Sequence, residues 1–424
     1  MRLVVVAFGS RGDVQPYVAL GRGLQAAGYA VTLCTLAEFE PLVRDYGLGF
    51  APMRGNIRAI LATEPGQRLL QAGRNPIALL SAMARLFETA AHELVEDCWQ
   101  ACRDTDAILY SLLAWFGIHH VVEKLHLPKL AVYLQPVSPT REFAIMGAAG
   151  GRLGGAFNLV TYAINQQISW MLIRGALNVP RRNILDLPPE PFWAPFGRMH
   201  REHMPILYGY SPLVLPKPAD WGDWIDVTGY WILEPRADWQ PPAALVDFLR
   251  AGPPPVYVGF GSMRDRGPSE GVDLALDALR RAGQRGVLLA DDEALAGRAL
   301  PDSMIAASGI PHEWLFPQMA AVAHHCGAGT TAAGLRAGVP TITVPYFGDQ
   351  PLWAERIHAL GAGTRPIQRK RLTADNLAAA IQVATTDAAM RQRAADLGAR
   401  LRAEDGVARA VECIRARLGG MMKE

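Results

Sequence analysis

The segment from His324 to Trp353 constrains the fold of this 424-residue chain more than any other. It reads HHCGAGTTAAGLRAGVPTITVPYFGDQPLW and directly follows the apolar run Ala321–Ala323. The pattern predicts a strand, a loop of small residues, a helix, a second buried strand and then an acid–amide pair. Such units build parallel sheets with helices on both faces, and ligands bind at the carboxyl ends of their strands. We therefore predict an α/β fold with a ligand site at this edge.

The loop after the first strand has the composition of an anion site. Gly327-Ala328-Gly329 carries no bulky side chain, so its backbone N–H groups can approach a ligand closely. Thr330 and Thr331 then begin a helix, whose N-terminus attracts negative charge. His325 stands beside the loop and can donate a hydrogen bond to a phosphate oxygen. The alternative is that the small residues serve only close packing of the helix on the strand.

The second strand, Thr341–Val344, leads to a polar pair, Asp349-Gln350. An acid next to an amide can hydrogen-bond several sugar hydroxyls. The same pair also suits a capped turn before the helix Leu352–Leu360, so both interpretations stay open. Combined with the anion loop, the pair predicts a site for the diphosphate and the sugar of an activated sugar donor.

Two further segments repeat the design of a strand followed by a loop of small residues. Leu3–Phe8 predicts a buried strand that runs into the loop Gly9–Asp13. Val256–Phe260 predicts another buried strand, followed by the small pair Gly261-Ser262. The repetition predicts two Rossmann-like domains that face each other across a cleft. A segment rich in proline and tryptophan, 216–242, separates them and is the predicted linker.

Asp13 is the acidic residue of the first loop, and it allows two interpretations. It can be the N-cap of the predicted helix Val14–Ala27, because a carboxylate accepts hydrogen bonds from unpaired backbone N–H groups. Pro16 in the first turn supports that helix start. Asp13 can also face the carboxyl edge of the sheet and accept a proton from a substrate hydroxyl as a general base. The two roles do not exclude each other.

Composition narrows the classes of partner and the location. Half of the residues are hydrophobic and 42 basic residues nearly balance 40 acidic ones, so the charge predicts no nucleic-acid partner. The five cysteines are scattered, which favours a reducing compartment, and we predict a cytoplasmic protein. The apolar N-terminal run is too short for a signal peptide. Polar residues interrupt Phe157–Leu177, which predicts a surface-lying or pocket-lining helix with at most peripheral membrane contact.

Aromatic residues mark two further candidate regions. Trp314, in the loop Pro311–Gln318, can stack on a nucleotide base, although a core position suits it equally. Large aromatic residues of the first half can line an apolar acceptor pocket or belong to the core: Trp115, Phe116, Tyr133, Phe143, Tyr162 and Trp170. His119 and His120 lie on the predicted helix Phe116–Leu125 without a partner motif, so ordinary helix histidines are the simpler interpretation.

Long motifs in a fixed order connect these segments to a known family. They run from Gly9-Ser-Arg-Gly-Asp-Val-Gln-Pro16 through Val227-Thr-Gly-Tyr-Trp231 to Tyr257-Val-Gly-Phe-Gly-Ser262. They continue with Pro311-His-Glu-Trp-Leu-Phe316, His324-His-Cys-Gly-Ala-Gly-Thr-Thr331 and Pro345-Tyr-Phe-Gly-Asp-Gln-Pro351. Over nearly all of its length the chain resembles the family 1, GT-B-fold glycosyltransferases. It is most similar to their sterol-glucosyltransferase-like branch, and is similar too to the enzymes that decorate bacterial natural products such as glycopeptide antibiotics.

The resemblance implies an arrangement of domains. Residues 1–215 form the acceptor-binding domain, and residues 243–405 form the domain that binds the nucleotide sugar. The last segment, 406–424, carries a helix that packs back on the N-terminal domain. We expect a monomer or a homodimer.

The resemblance also implies roles for the polar residues. Asp13 matches the general base, at a position that many plant members fill with His. On the donor side, His325 and the loop amides hold the diphosphate, Trp314 holds the base, and the Asp–Gln pair holds the sugar. The full donor set is Ser10, Gly261, Ser262, Trp314, His325, Gly327, Ala328, Gly329, Thr330, Asp349 and Gln350. No metal is expected, and no cofactor besides the donor substrate.

Two positions depart from the plant members of the family. Ala333 stands where they carry a Glu for the ribose hydroxyls, which leaves open whether the donor is a UDP-sugar or a dTDP-sugar. Ser111 and Leu112 stand near the place where they carry an Asp that pairs with the base. A relay between a base and a second carboxylate is therefore not expected here.

The expected reaction is an inverting, metal-independent transfer of glucose from UDP-glucose to a hydroxyl of an apolar acceptor, such as a sterol or another natural product. One alternative is a dTDP-deoxysugar-dependent enzyme that acts on an antibiotic or polyketide. Alternatives from other classes are a catalytically silent activator protein and a sugar-nucleotide epimerase of the same architecture. The presence of Asp13, His325 and Asp349-Gln350 argues against the silent activator.

Overall fold

The computed structural model describes residues 1–56, 59, 63–71, 76–145, 153–193, 195–260, 268–290, 295 and 297–421. The chain divides into two compact units. Unit 1 comprises Met1–Leu233 and Asp405–Glu424, and unit 2 comprises Glu234–Glu404. Gly261 and Ser262, two of the predicted donor-site residues, lie outside the described residues, so their roles stay predictions.

Unit 1 is built on a seven-stranded parallel sheet with strand order β3-β2-β1-β4-β5-β6-β7. Its strands are β1 Arg2–Val6, β2 Ala30–Leu36, β3 Gly49–Met53, β4 Ala107–Tyr110, β5 Lys129–Tyr133, β6 Ile206–Tyr208 and β7 Ile225–Val227. Its first helices are α1 Arg11–Ala26, α2 Glu40–Asp45, α3 Glu64–Gln71, α4 Pro76–Cys102, α5 Trp115–Leu125, α6 Gly155–Asn183 and α7 Phe196–Arg201. The strand order reverses at β1, which pairs with β2 on one side and β4 on the other. In open parallel sheets this reversal is the usual place for a ligand.

Unit 2 is built on a five-stranded parallel sheet with strand order β10-β9-β8-β11-β12. Its strands are β8 Val256–Gly259, β9 Gly286–Leu288, β10 Met304–Ala306, β11 Ala321–His324 and β12 Thr341–Thr343. Its helices are α8 Ala243–Arg250, α9 Pro268–Ala282, α10 His312–Leu315, α11 Ala328–Ala337, α12 Gln350–Ala359, α13 Ala374–Thr386 and α14 Ala388–Arg402. Here the order reverses between β8 and β11, so the loops after these two strands lie at the expected ligand edge.

The last helix, α15 (Gly406–Met421), rejoins unit 1 and packs on α1. Gly23 allows this contact, because a Cβ atom at that position would lie 2.4 Å from Cγ1 of Val407. Arg417 of the same helix pairs with Asp226 of β7 at 3.1 Å. The C-terminal helix is therefore fixed to unit 1 by close packing and by an ion pair.

The structure corrects the extent of the predicted linker, 216–242. Strand β7 lies within that segment and completes the sheet of unit 1, and the boundary between the units falls after Leu233. A three-residue strand among prolines and tryptophans gives too short an apolar pattern to be recognised.

The five cysteines are free. Among the described residues, none of the helices has the length and apolar character needed to cross a membrane.

Candidate active site

Asp13 lies in the first turn of α1, directly after the loop that follows β1. The helix begins at Arg11 rather than Val14, so Ser10 is the N-cap and Asp13 is the third helical residue. The Oδ2 atom of Asp13 accepts hydrogen bonds from the backbone N and the Oγ of Ser10, both at 2.8 Å. This is a capping box, in which an acid of the first turn satisfies the N–H of the cap residue. Ser10, predicted as a donor ligand, thus has its hydroxyl proton directed at Asp13.

The surroundings of Asp13 adjust its proton affinity and leave one oxygen available. Burial raises the pKa of the carboxyl above its ordinary value, while the two hydrogen bonds from Ser10 lower it. Gly9 has φ +142°, and a Cβ atom there would lie 2.6 Å from the Asp13 carboxylate. Only glycine therefore fits beside this group. Among the described residues, no donor contacts Oδ1, which can accept a proton from a substrate.

Ser111 connects the two loops at the carboxyl edge of unit 1. Its Oγ accepts hydrogen bonds from the backbone N of Phe8 at 3.3 Å and of Ala114 at 3.4 Å. These bonds hold the loop after β1 against the loop after β4. Plant members of the family carry a second carboxylate near this position. In this chain the buried hydroxyl of Ser111 lies there instead, and it fixes the backbone of the two loops.

The adjacent histidines of unit 2 have different positions. His324 ends β11 and is fully buried, and its Nδ1 accepts a hydrogen bond from the backbone N of Cys326 at 2.9 Å. Cys326 has φ +66°, so this bond holds a tight turn. His325 is half-buried in that turn. A Cβ atom on Gly327 would lie 2.6 Å from Nε2 of His325, so the glycine allows the imidazole its position over the loop.

His325 is a neutral imidazole at physiological pH. Burial lowers the pKa of His325 to about 4, because a cation is disfavoured away from water. Its Nδ1 atom is buried and, among the described residues, has no hydrogen-bond partner. A neutral imidazole has one N–H donor, so His325 can bind a phosphate oxygen through a hydrogen bond without contributing a positive charge.

The start of α11 is an open helix N-terminus. Gly327 is its N-cap and supplies no side-chain cap, and the backbone N of Thr331 donates to the carbonyl of Gly327 at 2.9 Å. The N–H groups of Ala328, Gly329 and Thr330 come before this bond, where helical amides have no acceptor within their own helix. These amides lie at the carboxyl edge of the sheet, beside His325, in the arrangement by which helix N-termini commonly bind anions.

Asp349 and Gln350 are held by their own helix and turn. Asp349 is the N-cap of α12 by position, yet its side chain caps no backbone group. Its Oδ2 accepts a hydrogen bond from the indole Nε1 of Trp353 at 2.7 Å. The Oε1 of Gln350 accepts from the backbone N of Tyr346 at 2.8 Å and of Phe347 at 3.4 Å. The carbonyl oxygen of Gln350 thus holds the turn before α12.

Trp314 lies on the short helix α10 and is half-buried. Its ring stands 5.4 Å from the ring of Trp239, edge to face at 62°. Because part of the indole remains accessible, Trp314 can present a surface to a nucleotide base. Trp239 lies in the segment predicted as linker, and the sequence pattern gave no reason to associate it with this residue.

The candidate acceptor residues fall into three groups in unit 1. Trp115, Phe116 and Trp170 form one cluster, with Trp115 5.3 Å from Phe116 and 6.2 Å from Trp170 between ring centroids. Tyr133 stands 6.3 Å from Tyr110 in a separate group of tyrosines. Phe143 packs on Trp221 at 6.5 Å. Burial places Trp115, Tyr133, Trp170 and Tyr162 in the core of the unit, whereas Phe116 and Phe143 keep partial exposure.

His119 and His120 belong to a polar network that the sequence did not predict. Nε2 of His119 lies 3.1 Å from Oε1 of Glu190. Nη1 of Arg181 lies 3.2 Å from the same oxygen and 3.1 Å from Nδ1 of His120. The two imidazoles and the carboxylate could serve as metal ligands by type, but the Arg181 guanidinium already contacts the carboxylate and the imidazole of His120. The network joins α5 to α6, and the wide sequence separation of its members hid it from pattern analysis.

Comparisons with known proteins agree with this architecture. Residues 3–144 match the family model of the glycosyltransferase family 28 N-terminal domain. Residues 275–413 match that of the erythromycin biosynthesis protein CIII-like, C-terminal domain. These two segments contain the Asp13 loop and the His325 loop, respectively.

Two curated relatives resemble nearly the whole chain. The sterol 3-beta-glucosyltransferase of Neosartorya fischeri is 38% identical over 427 residues, covering 98% of this chain and 29% of the relative. That of Cryptococcus neoformans is 36% identical over 441 residues, covering 98% of this chain and 27% of the relative. The chain therefore spans less than a third of the length of these relatives.

Solved structures show the same fold. The calicheamicin glycosyltransferase CalG4 is 18% identical with a TM-score of 0.68, covering 99% of this chain and 98% of that chain. The Streptomyces sp. SF2575 glycosyltransferase SsfS6, complexed with thymidine diphosphate, is 21% identical with a TM-score of 0.65, covering 98% and 99%. The chain therefore has the fold of these glycosyltransferases, and it combines a family 28 glycosyltransferase N-terminal domain with an EryCIII-like C-terminal domain.

Proposed function

We propose that this chain transfers a sugar, with glucose as the first candidate, from a UDP-sugar to a hydroxyl group of an apolar small molecule such as a sterol. The observation that carries the donor half is the open N-terminus of α11 beside the neutral His325, which suits a diphosphate. The acceptor half rests on the sterol 3-beta-glucosyltransferases that match 98% of this chain at 36–38% identity.

On the donor side, the proposed reaction needs stabilisation of the charge that grows on the leaving diphosphate. The amides of Ala328, Gly329 and Thr330 and the N–H of His325 supply donors that are already oriented before the reaction. Preorganised donors of this kind are among the largest contributions to enzymatic rate, and here they take the place of a metal ion. The proposed sugar contacts are the Asp349 carboxylate and Nε2 of Gln350, and Trp314 is the proposed platform for the base.

On the acceptor side, the proposed general base is Asp13. The acceptor oxygen forms a bond to the anomeric carbon while the bond from that carbon to the diphosphate oxygen breaks. The proton of the acceptor hydroxyl moves to Oδ1 of Asp13, the oxygen that Ser10 does not contact. Attack from the face opposite the leaving group inverts the anomeric configuration. Burial supports this role, because a raised carboxyl pKa makes a stronger base.

A second donor class has its own support. Ala333 leaves the chain without the ribose-binding Glu of plant members, and the SsfS6 structure that shares this fold contains thymidine diphosphate. A dTDP-sugar donor is therefore the second candidate.

The free cysteines support the cytoplasm as the compartment of the reaction.

A donor and acceptor screen tests the proposal. The purified chain is incubated with UDP-glucose or dTDP-glucose and a panel of sterols, flavonoids and polyketides, and products are detected by mass spectrometry. We expect a hexosylated sterol with UDP-glucose and none with the Asp13→Asn variant. Product formation only with dTDP-glucose would transfer the assignment to the second candidate. Absence of both product and donor hydrolysis would favour the silent activator protein.

A further inference from the structure

The outer face of α6 is apolar along nearly its whole length. The exposed large side chains of this helix are Phe157, Val160, Ile164, Ile168, Met171, Leu172 and Val179. Ile164 is 54% exposed and Met171 is 52% exposed. At about 100° per residue, these positions fall within an arc of about 120° and extend over roughly 33 Å. They form a single surface, which we call the α6 stripe.

The opposite face of α6 is apolar as well. Tyr162, Trp170, Ile173 and Leu177 are buried on that side. The packing of α6 on unit 1 covers only one of its two apolar faces, and soluble monomers rarely expose long apolar surfaces. The α6 stripe is therefore a candidate surface for a partner.

All of the charged side chains of α6 are positive. Its charged residues are Arg174, Arg181 and Arg182, and the helix carries no Asp or Glu. Arg181 is buried in ion pairs with carboxylates of unit 1. Among the described residues, Arg174 and Arg182 donate hydrogen bonds only to backbone carbonyls, at 3.2 Å and 3.4 Å. Two positive charges on this helix thus have no neutralising carboxylate, which suits an anionic partner.

Two exposed aromatic residues lie beside the helix. Trp193 is 71% exposed, and Phe192 next to it is also exposed. The segment is attached to α6, because Nε2 of Gln167 donates to the carbonyl of Phe192 at 3.1 Å. The guanidinium of Arg174 lies 6.0 Å from the centre of the Phe192 ring. An exposed tryptophan at the edge of an apolar surface is typical of the boundary between membrane and water.

We propose that the α6 stripe, together with Phe192 and Trp193, binds the surface of an anionic lipid membrane, with α6 lying in the plane of the interface. The apolar side chains enter the boundary of the acyl region, and Arg174 and Arg182 meet lipid phosphates. A second copy on a two-fold axis fits less well, because it brings its own arginines to the same interface. The inference goes beyond sugar transfer and does not depend on it.

Vesicle sedimentation with the whole chain tests this surface without any sugar donor. The vesicles are phosphatidylcholine alone or a mixture of phosphatidylcholine with phosphatidylglycerol. The test variant is the double change Ile164→Glu and Met171→Glu. The control is Val383→Glu on α13, a position 46% exposed outside the stripe. Circular dichroism and thermal melting confirm that both variants stay folded.

We expect wild type and the Val383 variant to sediment with the mixed vesicles, and more weakly with phosphatidylcholine alone. The double variant should lose on the order of tenfold in partitioning for each side chain replaced. Equal sedimentation of the double variant and the control would overturn the proposal, as would failure of wild type to bind the mixed vesicles. A wild-type dimer that the double variant converts to a monomer, without vesicle binding, would assign the stripe to a second copy.

Discussion

Replacing Asp13 by Asn separates two functions of one side chain. In the structure, Oδ2 of Asp13 accepts two hydrogen bonds from Ser10 at 2.8 Å and thereby holds the start of α1. In the proposed mechanism, Oδ1 accepts the proton of the acceptor hydroxyl. Asn has nearly the same shape, and its carbonyl oxygen can accept the bonds from Ser10, but it takes up no proton at neutral pH. The substitution therefore tests the base while preserving the helix start.

The expected loss of rate is much larger than the expected change in stability. A general base contributes about 10²–10⁴-fold to the rate, which corresponds to about 2.7–5.4 kcal/mol of activation free energy. Weakening two bonds from a charged to a neutral acceptor costs roughly 2 kcal/mol. Removal of a half-buried charge offsets much of this cost. We expect the free energy of unfolding to change by less than about 1 kcal/mol at neutral pH.

The contribution of Asp13 to the stability of the fold should decrease as the pH rises. Because burial raises the folded-state pKa of Asp13 above its ordinary value of 3.8, the folded state binds its proton more tightly than the unfolded state does. This contribution to stability is complete below pH 3.8 and is lost as the pH rises through the raised pKa. Relative to the Asn variant, wild type should become less stable across that interval.

The assay compares turnover, donor binding and unfolding for wild type, Asp13→Asn and the exposed control Asp302→Asn. Turnover is measured by mass spectrometry at saturating donor and acceptor, donor affinity by calorimetry, and stability by urea unfolding. The account predicts a fall of at least 100-fold in turnover for the Asp13 variant alone, by the usual contribution of a general base, with unchanged affinity for UDP. Turnover within threefold of wild type would refute the assignment of the base.

Three further predictions concern donor binding, stability and pH. Gly327→Ala should weaken UDP binding about 10- to 100-fold in calorimetry, because the Cβ of the new alanine would displace the His325 imidazole. The control Gly271→Ala, in open space on α9, should leave UDP binding unchanged. Equal affinities of the two variants would contradict the assignment of the phosphate site. Arg181→Met should lower the free energy of unfolding by about 3–5 kcal/mol in urea, because it removes the charged partner of the buried Glu190 carboxylate. Arg281→Met, whose ion pairs are exposed, should cost less than about 1 kcal/mol, and similar losses for the two variants would refute the network. The rate should fall as the pH drops through the raised pKa of Asp13, and a profile without a step above the ordinary carboxyl range would argue against this base.

The central strands of both sheets were predictable from the sequence because they are buried on both faces. Strands β1 (Arg2–Val6) and β8 (Val256–Gly259) overlap the predicted strands Leu3–Phe8 and Val256–Phe260. Continuous apolar runs of this kind occur where helices cover both sides of a parallel sheet. The loops that follow such strands were predictable for the same reason, which is how the His325 loop could be located.

Side-chain contacts were harder to predict, and the difficulty depended on sequence distance. The bond from Trp353 to Asp349 spans one helical turn, so helical spacing could have indicated it. The contacts that Arg181 makes with His120 and Glu123 cross 61 and 58 positions, and no local pattern encodes them. A surface-lying or pocket-lining helix was predicted at Phe157–Leu177, but the pattern did not show which of its residues form the exposed stripe, because a helix that is apolar on both faces shows no clear periodicity.

The most direct test of the account is the anomeric configuration of the product made by the purified chain from UDP-α-glucose and a sterol. Nuclear magnetic resonance of the isolated glucoside reads this configuration from the coupling of the anomeric proton. The account predicts a β-glucoside on the sterol hydroxyl, formed without added metal and lost with Asp13→Asn. An α-glucoside, or a β-glucoside that the Asn variant makes equally fast, would contradict it.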